Sequence, residues 1–138
     1  MAIGIAILSL AVAIAAVIFS YTVPQDLDRQ AWNRQLKQNC IDSVIDLRGA
    51  VNSLQGVYTI GLSDKAAAQA QWQTTQLAVD RTQVSCIKQL PSDLASRGST
   101  LWALFQTSKE QADQGSWDAT NSSEILTWTQ DTIKALTA

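Results

Sequence analysis

The sequence predicts an all-α protein: a single N-terminal transmembrane helix followed by a small antiparallel bundle of three or four helices. Three observations predict it. The first 23 of 138 residues carry no charged side chain, and all ten basic and twelve acidic residues follow them. Cys40, Val44, Leu47, Val51, Leu54 and Tyr58 then recur at intervals of 4, 3, 4, 3 and 4 residues. Such spacing puts six side chains on one stripe of a helix. Finally, no stretch alternates apolar and polar residues as a half-buried strand would. The mean hydropathy of +0.01 hides this division, because it averages an apolar rod with an ordinary water-facing stretch.

The rod reads MAIGIAILSLAVAIAAVIFSYTV. As a helix it is about 34 Å long, enough for a hydrocarbon core of about 30 Å. A cleaved signal peptide normally opens with a basic region and has a shorter apolar core. The first basic residue here is Arg29, so the reading is an uncleaved anchor over 1–23 and a bundle domain over 24–138. Ala2, Ala6, Ser9, Ala13, Ala16 and Ser20 form a stripe of small residues. In lipid, small residues let helix backbones approach closely, so this stripe is the expected packing face toward other transmembrane helices or a second copy. Tyr21 suits the membrane interface.

Pro24 is expected to kink or interrupt the chain, so that a first bundle helix covers about 26–60. Gly61 then suits a helix C-terminus and Ser63 the N-cap of the next. That second helix is expected over about 64–89, opening on the strong helix former Lys65-Ala66-Ala67-Ala68. Its expected apolar face is Ala66, Ala70, Leu77, Val84 and Ile87, with Trp72, Val79 and Leu90 beside it. Pro91 ends it, and Ser92 is the expected N-cap of a third helix over about 93–113. Leu94, Leu101, Phe105 and Ala112 are its core positions. Gly115-Ser116 breaks the chain again. Asn121 and Glu124 suggest a capping box for a last helix over about 122–136, with Ile125, Trp128, Ile133 and Leu136 inward.

Cys40 and Cys86 are the two cysteines, each 23 residues from Ser63. In an antiparallel hairpin turning near Ser63 they stand at one level, as a disulfide requires. A disulfide implies an oxidising compartment. Arg29, Arg34 and Lys37 pull the other way, because basic residues beside an anchor favour the cytoplasmic side. The expectation is an extracytoplasmic bundle, with the cysteine geometry weighed slightly above the basic residues and the topology left open between the two.

The residue types speak against catalysis. No histidine is present, which removes the commonest general base and metal ligand. Two thiols do not make a zinc site, and phosphate-cradling glycine loops and nucleophile-elbow motifs are missing. Asp42 and Asp46 share a helix face but read as solvated charges. No metal, cofactor or catalytic residue is expected. A pI of about 4.8 and the lack of a basic face speak against nucleic acid as a partner. Five tryptophans are scattered one per segment: Trp32, Trp72, Trp102, Trp117 and Trp128. Most are expected in the core. Trp32 lies among polar neighbours and is the candidate anchor for a protein partner. Asn121-Ser122-Ser123 matches a glycosylation sequon.

The expected role is therefore a non-enzymatic, membrane-anchored structural or accessory subunit, with lipid and the transmembrane helices of a larger assembly as partners. Three alternatives share the layout. An anchor followed by a helical bundle resembles the periplasmic sensor domains of chemoreceptors, which would imply a ligand-sensing bundle. It also resembles phage virion membrane or lysis proteins of similar size. A pilin-like filament subunit is the third, although pilins carry Glu at the fifth mature position and this chain has Ile5.

Overall fold

The computed structural model describes the backbone of residues 2–59 and 65–138 and the side chains of 27–59 and 65–138. Among the described residues every regular element is helical. Helix α1 is Ala2–Thr59, α2 is Lys65–Cys86, α3 is Ser92–Ser99, α4 is Leu101–Asp113 and α5 is Ala119–Thr137. Contacts group the chain into Met1–Gln35 and Leu36–Ala138. In the first unit the described side chains, 27 to 35, are all exposed. The second unit is the helical bundle.

Helix α1 does not stop at Pro24, contrary to the expected interruption. Proline removes one backbone donor, but its fixed φ is compatible with a helix, so the element can continue through it. The side chains of Ala2, Ala6, Ser9, Ala13, Ala16, Ser20 and Tyr21 lie outside those described, as do Gly61 and Ser63. Among the described residues no helix is long and apolar enough to cross a membrane.

The seam read from α1 forms the core. Cys40, Val44, Leu47, Val51 and Leu54 are all buried, and Tyr58 packs against them half-buried. Opposite it runs α2, antiparallel. Thr82 donates its hydroxyl to the Ser43 carbonyl at 3.0 Å, and Gln71 donates its amide to the Ala50 carbonyl at 3.1 Å. As the residue number rises along α1, its partner's number falls along α2. Cys40 and Cys86 close this ladder, with sulfurs 2.04 Å apart and Cα atoms 4.7 Å apart. The pair expected from the spacing is thus at disulfide distance, within the usual Cα range.

The expected face of α2 needs correction. Its buried residues are Trp72, Thr75, Ala78, Val79, Thr82 and Cys86. Trp72, Thr75, Val79, Thr82 and Cys86 make a 3, 4, 3, 4 seam in which two positions are threonine. Ala66, Ala70, Leu77 and Val84 are exposed instead. The reason lies in hydrogen bonding. Thr75 returns its hydroxyl to the Gln71 carbonyl at 2.8 Å, and Thr82 reaches across to Ser43, so both are buried without orphaned donors.

A single 3-10 turn, Ile87–Gln89, tightens the end of α2. Leu90 is extended at φ −96° and ψ 153°, as the residue before a proline tends to be. Pro91, rather than Ser92, occupies the N-cap of α3. The expected third helix is split in two at Thr100. There Ser99 donates to the Ser96 carbonyl at 2.6 Å and Thr100 to the Arg97 carbonyl at 2.7 Å. These hydroxyls take up carbonyls near the joint and offer the backbone an alternative to the helix ladder. Helix α4 ends at Asp113, and Gly115 just beyond its C-cap Gln114 has φ +73°. Gly115 N–H bonds the Ala112 carbonyl and Ser116 N–H the Gln111 carbonyl, the two bonds of a Schellman motif. Glycine is required there because other residues strain at that φ.

Asp118, not Asn121, caps α5: its carboxylate accepts from the Thr120 backbone N–H at 2.9 Å and from the Thr120 hydroxyl at 2.6 Å. Helix α5 packs on α3 and α4, and α4 packs on α2. Trp128 anchors the α3–α5 contact by donating its indole N–H to the Leu94 carbonyl at 2.9 Å. Among the described residues the bundle is thus all-helical, with α1 and α2 antiparallel and the expected third helix broken into α3 and α4.

Candidate interaction surface

Two regions of the bundle gather distinctive side chains. One is an aromatic cluster. Tyr58 stacks on Trp117 with ring centres 4.5 Å apart and 7° between planes. Trp72 meets Phe105 edge-on at 5.2 Å and donates its indole N–H to the Tyr58 hydroxyl at 2.7 Å. Trp102 lies against Phe105 at 5.8 Å. Trp72 and Tyr58 join their polar ends to each other, and the remaining ring contacts are packing. It ties the ends of α1 and α2 to α4 and to the loop before α5.

The other region is the outer face of the α1–α2 hairpin. A groove of about 570 Å³ runs between the helices, lined by Ile45, Asp46 and Gly49 from α1 and Leu77, Ala78 and Arg81 from α2. Ile45 is 52% exposed, Leu77 59% and Val84 84%. Single exposed apolar residues are ordinary on a protein surface. These three share one face: Leu77 and Val84 are seven residues apart on α2, and Ile45 lines the groove with Leu77. Val84 lines an adjoining hollow that also includes Arg81.

The residues singled out in the sequence fall in different places. Trp32 is 63% exposed, in the first unit. Trp72 and Trp128 are buried, and Trp102 and Trp117 pack half-buried against the core. Cys40 and Cys86 are both fully buried. Asp42 and Asp46 are exposed, and Asp42 accepts a bond from Gln38 at 2.8 Å. Among the described residues no group of three or more potential metal-binding side chains gathers. The Asn121 sequon lies inside α5 with Ser122 buried, and the Asn121 amide faces Gln111 at 3.4 Å. The hairpin groove escaped the sequence reading because Leu77 and Val84 were assigned to the core. Their seven-residue spacing was visible, but apolarity alone did not reveal that threonines had displaced them.

Electrostatically, one group stands out. Hydrogen bonds from the Thr120 hydroxyl, and then from the Thr120 backbone N–H, hold the Asp118 carboxyl below its ordinary range. That is the signature of a helix cap rather than of a proton-transfer residue. No protein-family model, curated protein or solved structure matches the chain.

Proposed function

We propose that the protein is a non-enzymatic, membrane-anchored structural or accessory subunit. One observation carries the reading: 23 uncharged, largely apolar residues stand directly before a charged helical bundle. A run of that length and character is what a bilayer accepts as a spanning helix. The stripe Ala2, Ala6, Ser9, Ala13, Ala16 and Ser20 serves as its contact with neighbouring transmembrane helices. Trp32, exposed just beyond, serves as an anchor for a protein partner. The bundle stands on the extracytoplasmic side, where a Cys40–Cys86 bridge persists in the oxidised form.

Fractionation tests the anchor. The full chain should stay with membranes through alkaline carbonate, and a chain lacking residues 1–23 should be released. Release of the full chain overturns the reading. Purification in mild detergent should bring down a stoichiometric partner, and Trp32→Ala together with Ala13→Leu should lose it. Thiol-reactive probes that do not cross membranes should label a surface cysteine placed at Lys109 from outside the cell. Labelling only after lysis puts the bundle in the cytoplasm.

A further inference from the structure

We propose that the outer face of the α1–α2 hairpin is a self-association surface on which two copies pair in parallel. The two-fold axis runs along the helices, so α1 of each copy rests on α2 of the other. The inference does not depend on the anchor, because the whole face lies within residues 42–84.

Charge complementarity selects this occupant. Asp46 lines the groove from α1 and Arg81 from α2, and both are exposed. Among the described residues neither has an ion-pair partner in its own chain. The hairpin's hydrogen bonds set Ser43 opposite Thr82, and Ala50 opposite Gln71 and near Thr75. Asp46 and Arg81 therefore stand within about one helical turn, 5.4 Å, of the same level. A parallel two-fold copy laid on this face brings Asp46 against Arg81 of the other chain, twice. An antiparallel copy would put α1 on α1 and oppose Asp42 and Asp46 to their own kind.

Shape agrees with charge. In the same register Leu77 meets Gly49 of the other copy. A Cβ added at Gly49 would find no atom within 4 Å, so the glycine offers bare backbone facing open space. Leu77 is a knob and Gly49 a hole, the complementarity on which packed helix pairs depend. Ile45 and Val84 flank the contact and add apolar area. A two-fold interface of this kind closes on itself and does not propagate into fibres.

Two full-length variants, Asp46→Arg and Arg81→Asp, test the register. Each keeps the sign of one partner and reverses the other, so each repels its own copies at both pairs. Mixed together, they restore both attractive pairs. Energy transfer between fluorescently labelled chains in mild detergent is the readout, with circular dichroism confirming the helical fold. The wild-type chain should pair. Each variant alone should dissociate at least about tenfold more readily, given exposed pairs of ordinary strength. The equimolar mixture should recover pairing. A wild-type chain that stays solitary at every concentration leaves the face to another partner and overturns the proposal. So does pairing that survives both variants, which would place the contact in residues 1–23, and so does a mixture that fails to recover.

Discussion

Gly98 shows how tightly one residue can be specified. A Cβ there would stand 2.6 Å from Ile87 Cδ1 and 2.8 Å from Trp128 Cζ2. The isoleucine tip can swing away. The indole cannot, because its N–H is held by the Leu94 carbonyl. Alanine gains about 1 kcal/mol of helix propensity over glycine, but overpacking a core costs about 1–3 kcal/mol. Gly98→Ala should therefore destabilise the bundle in urea denaturation, and a raised midpoint would contradict this account. Thr132 is the opposite case. Its hydroxyl is buried with no hydrogen-bond partner among the described residues. Replacing it by the near-isosteric valine removes an unpaired polar group, so Thr132→Val should stabilise by about 1 kcal/mol. Thr82→Val removes a hydroxyl that is already bonded to the Ser43 carbonyl, so it should not stabilise. Asp118 gives the bundle a pH dependence. Its folded pKa is lowered, so its stabilising contribution is present above the unfolded pKa and fades as pH falls through the folded value. Asp118→Asn should flatten the acid limb of the stability profile, followed by circular dichroism.

At the scale of elements, the α1 seam was legible because every position from Cys40 to Leu54 is apolar and keeps its interval. The seam of α2 has the same interval and was not legible. Thr75 and Thr82 hold two of its positions, while Leu77 and Val84 supply a rival apolar stripe on the outer face. A reading by apolarity must choose the stripe that water sees. Hydrogen bonds to carbonyls of α1 and α2 reverse that choice, and single-residue hydropathy does not contain them. Leu77→Gln should consequently change the stability of the solitary, unpaired bundle by less than about 0.5 kcal/mol, as exposed substitutions do. The joint between α3 and α4 was hidden for a related reason. Proline does not mark it, and its cause is the competition of Ser99 and Thr100 hydroxyls for nearby carbonyls. The cap of α5 was misplaced by three residues because Asn121 and Glu124 imitate a capping box that Asp118 makes unnecessary.

At the scale of the molecule, the bundle buries several hydroxyls among its apolar side chains, including those of Thr75, Thr82, Ser108, Ser122, Thr129 and Thr132. Such a core supplies less apolar burial than an aliphatic one, so a covalent tie carries more weight. Closing the 46-residue separation between Cys40 and Cys86 is worth about 4 kcal/mol by loop entropy. Reduction should lower the urea midpoint by a corresponding amount, and Cys40→Ala with Cys86→Ala should reproduce the reduced protein. A midpoint indifferent to reductant would show that packing alone holds the hairpin. The placement of the tryptophans has a further, optical consequence. Trp32 faces water in one unit, whereas Trp72 and Trp128 are enclosed in the other and Trp117 is stacked on Tyr58. Iodide should quench the red-emitting Trp32 most strongly and spare the enclosed, blue-emitting Trp72 and Trp128. The chain thus carries two intrinsic dyes, and a single emission spectrum can separate capture of Trp32 by a partner from loss of the fold.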